Sequence, residues 1–175
     1  MTHVAAAGLE RLNSLPEEAA EQELRKCCGS TNWIRRMVGQ RPFRNASQWL
    51  EMADRLWRES SAEDWLEAFR HHPRIGEKKA AAGNSGDAQR WSHAEQAGAS
   101  NAAPEVSAAL AEGNLAYENC FGYIFIVCAT GKSSEEMLAI LRQRLQNDPG
   151  KEIHVAAEEQ RKITRLRLEK LLSGG

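Results

Sequence analysis

The sequence predicts an all-α protein, a single compact domain of roughly eight or nine helices spanning residues 1–175. Apolar residues recur at intervals of three and four in nearly every segment, which is the spacing of one helix face. Proline, glycine and capping residues separate these segments at typical helix lengths. The chain has 175 residues and 42% of them are hydrophobic, which is enough for one substantial core without disulfides or metals.

Four helices are predicted in the first part of the chain. Pro16 suits the first turn of a helix that closes at Cys27 and Cys28 before Gly29. Two amphipathic patterns follow, and a fourth helix starts at the capping-box sequence Ser61-Ala62-Glu63-Asp64. The two patterns carry Trp33, Ile34, Met37 and Val38, then Trp49, Leu50, Ala53, Leu56 and Trp57. Because these tryptophans and Trp65 fall on apolar faces, we expect them in the core.

The second part of the chain predicts four more helices. After a small, polar connector from Gly76 to Gly86, a helix is expected from about Ser92 to Ala99. Pro104 opens a long helix that we extend through the apolar stretch 123–129, because no turn signal is apparent, with Gly131 as its cap. The remaining two begin at the capping box Ser133–Glu136 and at Pro149.

Charge and cysteine content favour a small-molecule partner. The 23 basic and 24 acidic side chains give a net charge of −1, which offers no global attraction for nucleic acid or an anionic membrane. The apolar stretch 123–129 is too short to cross a bilayer. The four cysteines form no zinc pattern and are interpreted as reduced, mostly buried thiols. With no secretory leader apparent, we expect a cytoplasmic protein.

The run His71-His72-Pro73-Arg74-Ile75-Gly76 is the first candidate site. Pro73 disfavours a helical conformation at His72, so the preceding helix should stop near His71 and leave His72 on a stiff corner. An imidazole with a pKa of about 6.5 can exchange a proton close to neutral pH. The alternative is a surface histidine before a helix-ending proline, and the run by itself does not decide between them.

The second candidate is Ser92-His93-Ala94-Glu95-Gln96, which places a hydroxyl, a carboxylate and an amide on one helical face. Ser92-x-x-Glu95 also matches a capping box, in which both side chains only satisfy backbone donors. The two interpretations are compatible, because a helix N-terminus also attracts anionic ligands.

Two other motifs are rejected. Thr130-Gly131-Lys132-Ser133 resembles the end of a phosphate-binding loop, but that motif needs glycine where Ile126 stands. His71 and His72 are adjacent at a helix end and have no carboxylate at ligand spacing, so we expect no metal site.

Several ordered motifs together resemble the OHCU decarboxylase family, whose substrate is 2-oxo-4-hydroxy-4-carboxy-5-ureidoimidazoline. They are Trp65-Leu66-Glu67-Ala68-Phe69 leading into His72–Gly76, Ser92-x-x-Glu95-Gln96, and Asn119-x-Phe121-Gly122-Tyr123-x-Phe125-Ile126-Val127-Cys128-Ala129-x-Gly131-Lys132-Ser133. Cys27-Cys28-Gly29-Ser30-x-x-Trp33, Arg41-Pro42-Phe43 and Ile163-x-x-Leu166-Arg167-Leu168 extend the resemblance over almost the whole chain.

The resemblance implies a cofactor-free decarboxylase that acts at the last step from urate to allantoin, usually as a homodimer, with His72 as proton donor. Glu95 would assist, either by orienting His72 or by contacting the substrate carboxylate. Arg167 is the implied C-terminal substrate-binding arginine, with Arg165 as its competitor. The implied substrate-binding residues are Pro73, Ser92, His93, Ala94, Gln96, Phe125, Ile126, Val127, Cys128, Ala129 and Arg167.

The chemistry is compatible with these residue types, because the substrate carboxylate is bonded to a carbon next to an imine that can accept the electron pair. Two alternatives stay open: a non-catalytic helical interaction module on the same scaffold, and another lyase or hydrolase acting on a ureide. For the stretch Phe125–Ala129, the alternative to ligand binding is a plain buried helix with Cys128 as a packing residue.

Overall fold

The all-α prediction is confirmed. The computed structural model describes residues 3–77 and 86–174, and these contain nine α-helices, one short 3₁₀ helix and no β-strand. The helices are α1 (His3–Ser14), α2 (Glu17–Arg25), α3 (Thr31–Val38), α4 (Ala46–Arg58), α5 (Ala62–Phe69), α6 (Gly86–Glu95), α7 (Pro104–Phe121), α8 (Ser134–Arg144) and α9 (Pro149–Ser173), with the 3₁₀ helix at Ala97–Ala99.

The chain divides into two compact units, which we describe one at a time. Unit 1 comprises residues 1–68 and 161–175, and unit 2 comprises residues 69–160. The predicted single domain over residues 1–175 stays a prediction. Most of the predicted connector, residues 78–85, lies outside the described residues.

Unit 1 has a tryptophan-rich core, as the sequence predicts. Trp33, Trp49, Trp57 and Trp65 are all buried. Two indole N–H groups satisfy main-chain carbonyls, because Trp33 Nε1 donates to Ala53 O and Trp65 Nε1 donates to Trp57 O, each over 3.1 Å. The buried indoles therefore tie the C-terminal half of α4 to α3 and α5 as well as filling the core.

Unit 2 has its own core, built mainly between α7 and α8. Tyr117, Met137 and Leu141 are fully buried at its centre. The cluster also takes in a non-helical stretch after α7 and the loop after His72. Its buried members are Ile75, Leu110, Tyr117, Phe125, Val127, Ala129, Met137, Leu138 and Leu141.

The helix predicted through residues 123–129 is wrong. α7 ends at Phe121, and Gly122 adopts the left-handed conformation with φ of +80°. The N–H of Gly122 bonds the carbonyl of Glu118, so this glycine is the cap of α7. Residues 124–129 are neither helix nor strand. Gly131, with φ of +78°, belongs to the turn before α8 instead of capping α7.

Two other boundaries differ from the sequence prediction. α6 starts at Gly86, so Ser92 lies well inside the helix and the capping box predicted at Ser92 is wrong. α1 was not expected from the sequence. By contrast, Ser133 and Glu136 form the predicted capping box of α8, and Ser61 caps α5 by accepting the N–H of Asp64 over 3.2 Å.

No helix within the described ranges is long and apolar enough to cross a membrane.

Candidate active site

His72 lies on a short, fixed turn at the start of unit 2. α5 ends at Phe69, and the N–H of His72 donates to the Phe69 carbonyl over 3.1 Å. The His72 and Pro73 side chains are both half-buried. Asn114 of α7 donates through Nδ2 to the carbonyl of Ile75 over 3.0 Å, in a buried position. The predicted corner is therefore held from both ends.

Arg74 anchors the same turn by charge. Its guanidinium forms a double hydrogen bond with the carboxylate of Glu118 on α7, in which Nη2 lies 2.9 Å from Oε2, and its Nη1 lies 3.1 Å from Glu77 Oε1. The hydrogen bond from Arg74 lowers the pKa of Glu118 below its usual value. Arg74 therefore acts locally on the turn.

α6 turns one face of the second candidate motif inward. Ser92 is buried, and Glu95 and Gln96 are half-buried, whereas His93 and Ala94 are exposed. Oε1 of Gln96 accepts the N–H of Gly76 over 3.1 Å. This bond brings the end of α6, with Glu95, against the turn that carries His72.

The third candidate segment, Phe125–Ala129, is buried at every residue, with exposed fractions between 2% and 8%. Its side chains alternate: Phe125, Val127 and Ala129 belong to the unit 2 core cluster, and Ile126 and Cys128 do not. A period of two is typical of extended backbone.

Charged side chains bind the main chain of this segment. Arg144 of α8 donates through Nη1 to the Ile126 carbonyl over 2.6 Å. Oε2 of Glu159 on α9 accepts the N–H of Cys128 over 2.8 Å, and Nζ of Lys132 donates to the carbonyl of Cys128 over 2.7 Å. These bonds satisfy polar groups that a buried non-helical segment would otherwise leave unpaired.

Glu95 is within electrostatic range of Cys128. Burial raises the pKa of the Cys128 thiol, and the carboxylates of Glu159 and Glu95 add to that rise while Lys132 opposes it. The carboxylate of Glu95 on α6 thus acts electrostatically on the thiol of the Phe125–Ala129 segment. The raised pKa favours the neutral thiol and fits the interpretation of Cys128 as a packing residue.

Gly98 brings the 3₁₀ helix into contact with the turn that holds Lys132. A Cβ atom at Gly98 would lie 2.0 Å from the Lys132 carbonyl oxygen, which only glycine permits. Ser134 Oγ donates to the Gly98 carbonyl over 2.9 Å. The stretch after Gln96 and the turn after Ala129 are thus fixed against each other.

Arg167 lies in unit 1 and is described there. Its side chain is buried, with 4% of the residue exposed, and Nη1 donates to the Lys26 carbonyl over 3.4 Å. Its competitor Arg165 pairs with Asp54, with an Nη1 to Oδ2 distance of 3.0 Å, and also lies 3.7 Å from Glu169. A role for either arginine in substrate binding stays a prediction.

Sequence reasoning missed the residues that hold the site together. Asn114, Arg144 and Glu159 act on main-chain groups that are 39, 18 and 31 positions away in the chain. Arg144 gave one usable signal, since a charged residue stands three positions after Leu141 on the apolar face of α8. Among the described residues, no group of three or more His, Cys, Asp or Glu side chains is placed to hold a metal ion.

A sequence model of the OHCU decarboxylase family matches residues 13–169. The chain belongs to this family. The family resemblance inferred from the motifs is therefore confirmed.

Named relatives of the OHCU decarboxylase family are similar to the chain. The uric acid degradation bifunctional protein TTL of Arabidopsis thaliana is 36% identical over 156 residues, which cover 89% of this chain and 48% of that protein. A 2-oxo-4-hydroxy-4-carboxy-5-ureidoimidazoline decarboxylase of Amia calva is 41% identical over 59 residues, or 34% of each chain. The chain thus spans about half the length of the Arabidopsis relative.

A solved structure has the same fold. The crystal structure of an OHCU decarboxylase in the presence of (S)-allantoin matches with a TM-score of 0.74 and 35% identity, covering 87% of this chain and 98% of that one. An (S)-allantoin synthase structure, at 19% identity and a TM-score of 0.68, supports the fold alone.

Proposed function

We propose that this chain decarboxylates 2-oxo-4-hydroxy-4-carboxy-5-ureidoimidazoline to (S)-allantoin, in the degradation of urate. Membership of the OHCU decarboxylase family and the matched structure with (S)-allantoin support this activity. The observation that carries it is the bond from Gly76 to Gln96, because it brings the turn bearing His72 to the end of α6, where Glu95 lies.

The reaction needs a proton donor and an ordered pocket. The bond from the ring carbon to the carboxylate breaks, carbon dioxide leaves, and the electron pair flows onto the neighbouring imine nitrogen. The nitrogen takes a proton, the neighbouring carbon that carries the ureido group takes a second one, and the 4-hydroxyl group gives up its proton to become a ring carbonyl of allantoin. Because the substrate provides its own electron sink, the protein has only to orient the carboxylate, stabilise charge on the ring and deliver the proton to one face.

His72 is the proposed donor of that proton. Its N–H bond to Phe69 and the ring of Pro73 fix the backbone at the corner, which limits the directions from which the imidazole can approach the ureido-bearing ring carbon. A positioned general acid contributes about 10²- to 10⁴-fold in rate. Protonation from one face would set the configuration of the product.

Ser92, Gln96 and the main chain of Phe125–Ala129 are the proposed binding partners of the ring and ureido group, which need neutral donors and acceptors. The side chains of His93 and Ala94 are exposed, so we propose that these two residues contact the ligand through their main-chain atoms. Pro73 would pack against the ring, and Arg167 would bind a carboxylate or carbonyl through its planar fork.

Glu95 has two proposed roles, which differ in measurable ways. If its carboxylate holds His72 in the productive tautomer and raises its proton affinity, Glu95→Gln should lower kcat and shift the pH profile of kcat. If it contacts the substrate carboxylate and disfavours the ground state, Glu95→Gln should instead lower KM together with kcat. We also propose that the active enzyme is a homodimer and that it is located in the cytoplasm.

The decisive experiment generates the unstable substrate from urate in situ and follows optical activity as allantoin forms, first without a chelator and then with one. Wild type should accelerate the reaction, and His72→Asn should lose about 10²- to 10⁴-fold. His154→Asn, an exposed position on α9, is the matched control and should retain activity. If wild type and His72→Asn both match buffer alone, the chain is not this decarboxylase and the interaction module gains support. Loss of wild-type activity on adding the chelator would indicate a metal mechanism.

A further inference from the structure

We propose that Lys132, Arg144 and Glu159 are positioning residues that fix the main chain of residues 126–128 for substrate binding. The inference rests on the proposed function and concerns residues that do not touch the reacting atoms. We call these three side chains the charged clamp.

The clamp acts on alternate residues of the segment. Its three bonds go to the Ile126 carbonyl and to both main-chain groups of Cys128. In an extended chain, the N–H and C=O of one residue point to one edge and those of the next residue to the other edge. The clamp therefore occupies one edge of the segment.

The same extended-chain geometry assigns the main-chain groups of Val127 to the opposite edge. Within residues 3–77 and 86–174, no hydrogen bond joins its N–H or C=O to another residue. A donor and an acceptor side by side match the edge of an amide or a ureido group, which carries both an N–H and a C=O. We therefore infer that the main-chain N–H and C=O of Val127 hydrogen-bond the ureido group of the substrate. This requires that the main chain of Ile126 and Cys128 is held in position.

Arg144 is itself rigid, which makes it a suitable anchor. Its Nε lies 2.7 Å from Oε1 of the fully buried Glu152, and its guanidinium lies 4.7 Å from the centre of the Phe125 ring. Asn147 donates to the other oxygen of Glu152 over 2.7 Å, and the Tyr117 hydroxyl also bonds Glu152. A buried charge with this many partners has one geometry, so the Ile126 carbonyl has one position.

Lys132 and Glu159 fix the main chain of Cys128. Both are only half-buried, so they can be substituted with less effect on folding than the buried Arg144. They bind the two main-chain groups of Cys128, one as donor and the other as acceptor. Removing either leaves the next peptide plane free to turn. A shift of about 1 Å in a binding group can cost about 10²-fold in activity.

The test compares Lys132→Met and Glu159→Ala with wild type, using steady-state turnover of freshly generated substrate and inhibition by (S)-allantoin. Both variants should raise KM and the inhibition constant of allantoin by about 10- to 100-fold, since the main-chain bonds form before the chemical step. Glu159→Gln should recover most of the affinity, because its amide oxygen still accepts the N–H of Cys128. Lys151→Met and Glu112→Ala, both at exposed positions, are the matched controls.

Thermal unfolding separates positioning from general destabilisation. Leu141→Ala lies on the same helix as Arg144 and should lower Tm without raising KM at temperatures well below unfolding, because it opens a core cavity and leaves the clamp bonds in place. Folded Lys132→Met and Glu159→Ala proteins with wild-type KM and inhibition constant would overturn the inference while the proposed function stands. A wild-type protein without decarboxylase activity would overturn both.

Discussion

The main-chain N–H of Gly76 donates to Oε1 of Gln96 over 3.1 Å. The two residues are 20 positions apart, with the undescribed part of the connector between them. The turn with His72 ends at Gly76, and α6 ends one residue before Gln96. This hydrogen bond therefore sets the distance between the proposed acid and the helix end that carries Glu95.

Replacing Gln96 with leucine should release the turn. We expect Gln96→Leu to lower the free energy of unfolding by about 1 kcal/mol, the typical worth of one hydrogen bond, and to reduce kcat/KM for the proposed reaction. Urea denaturation and the optical assay measure the two effects. Gln96→Glu is the matched variant, because its carboxylate still accepts the N–H of Gly76 but has lost the amide donor.

The two variants separate anchoring from substrate binding at Gln96. If Nε2 also donates to the substrate, Gln96→Glu keeps wild-type stability and raises KM. Unchanged stability and kinetics in Gln96→Leu would show that the bond to Gly76 contributes nothing to the site.

The ion pair between Arg74 and Glu118 should make stability depend on pH. The hydrogen bond from Arg74 holds the pKa of Glu118 below its value in the unfolded chain, so the pair stabilises the folded state at neutral pH. That contribution is lost as the pH falls below about 4.3, where the unfolded chain begins to bind the proton. Because the arginine side chain is 37% exposed, solvent screening limits the pair to about 0.2–1 kcal/mol.

Comparing Glu118→Gln with wild type between pH 3 and pH 7 tests this prediction. The variant should be less stable at pH 7, and the difference should shrink on acidification and at high salt. Arg11 and Glu23 form an exposed control pair in unit 1, so Arg11→Gln shows how much an ordinary surface pair contributes. A difference that stays constant over the whole range would mean that Glu118 is not the titrating partner.

Gly122 should not tolerate a side chain. Its φ of +80° is the left-handed conformation, which costs an L-residue roughly 1–2 kcal/mol. We expect Gly122→Ala to lower the free energy of unfolding by that amount, which a lower Tm reports, although a Cβ would meet no atom within 4 Å. Gly39→Ala is the matched control, because Gly39 also caps a helix but has φ of −68°. Equal effects at the two positions would contradict the backbone explanation.

Local signals were sufficient for most of the fold. Pro104 at the start of α7 and Ser133 with Glu136 at the start of α8 each act within one helical turn, so their role can be read from the sequence. Gly122 was the missed stop signal. Its neighbours are apolar on both sides, and apolar residues alone do not distinguish a continuing helix from a buried non-helical segment.

The candidate site was predicted as three separate motifs. The structure joins the first two in unit 2 through the hydrogen bond between Gly76 and Gln96, and the close approach of Gly98 to Lys132 fixes the turn after the third motif against the stretch after Gln96. The supporting contacts were beyond sequence reasoning. A glutamate on α9 that binds a main-chain N–H 31 residues earlier leaves no periodic or spacing signal. The catalytic and binding roles of the site residues themselves stay predictions.

Thiol labelling should distinguish one cysteine from the other three. Cys120 is exposed, whereas Cys27, Cys28 and Cys128 are buried free thiols. Burial raises the pKa of Cys28 to about 12, which leaves roughly one thiol in 10⁴ as the reactive thiolate at pH 8, and burial also raises the pKa of Cys27 and Cys128. Iodoacetamide on the folded protein should therefore modify Cys120 first, and mass spectrometry of the peptides locates the label. Cys120→Ser should abolish the early labelling, and denaturant should expose the rest. Labelling of Cys128 as fast as Cys120 would show that the Phe125–Ala129 segment opens in solution. That result would contradict the proposal that a rigid main chain in this segment binds the substrate.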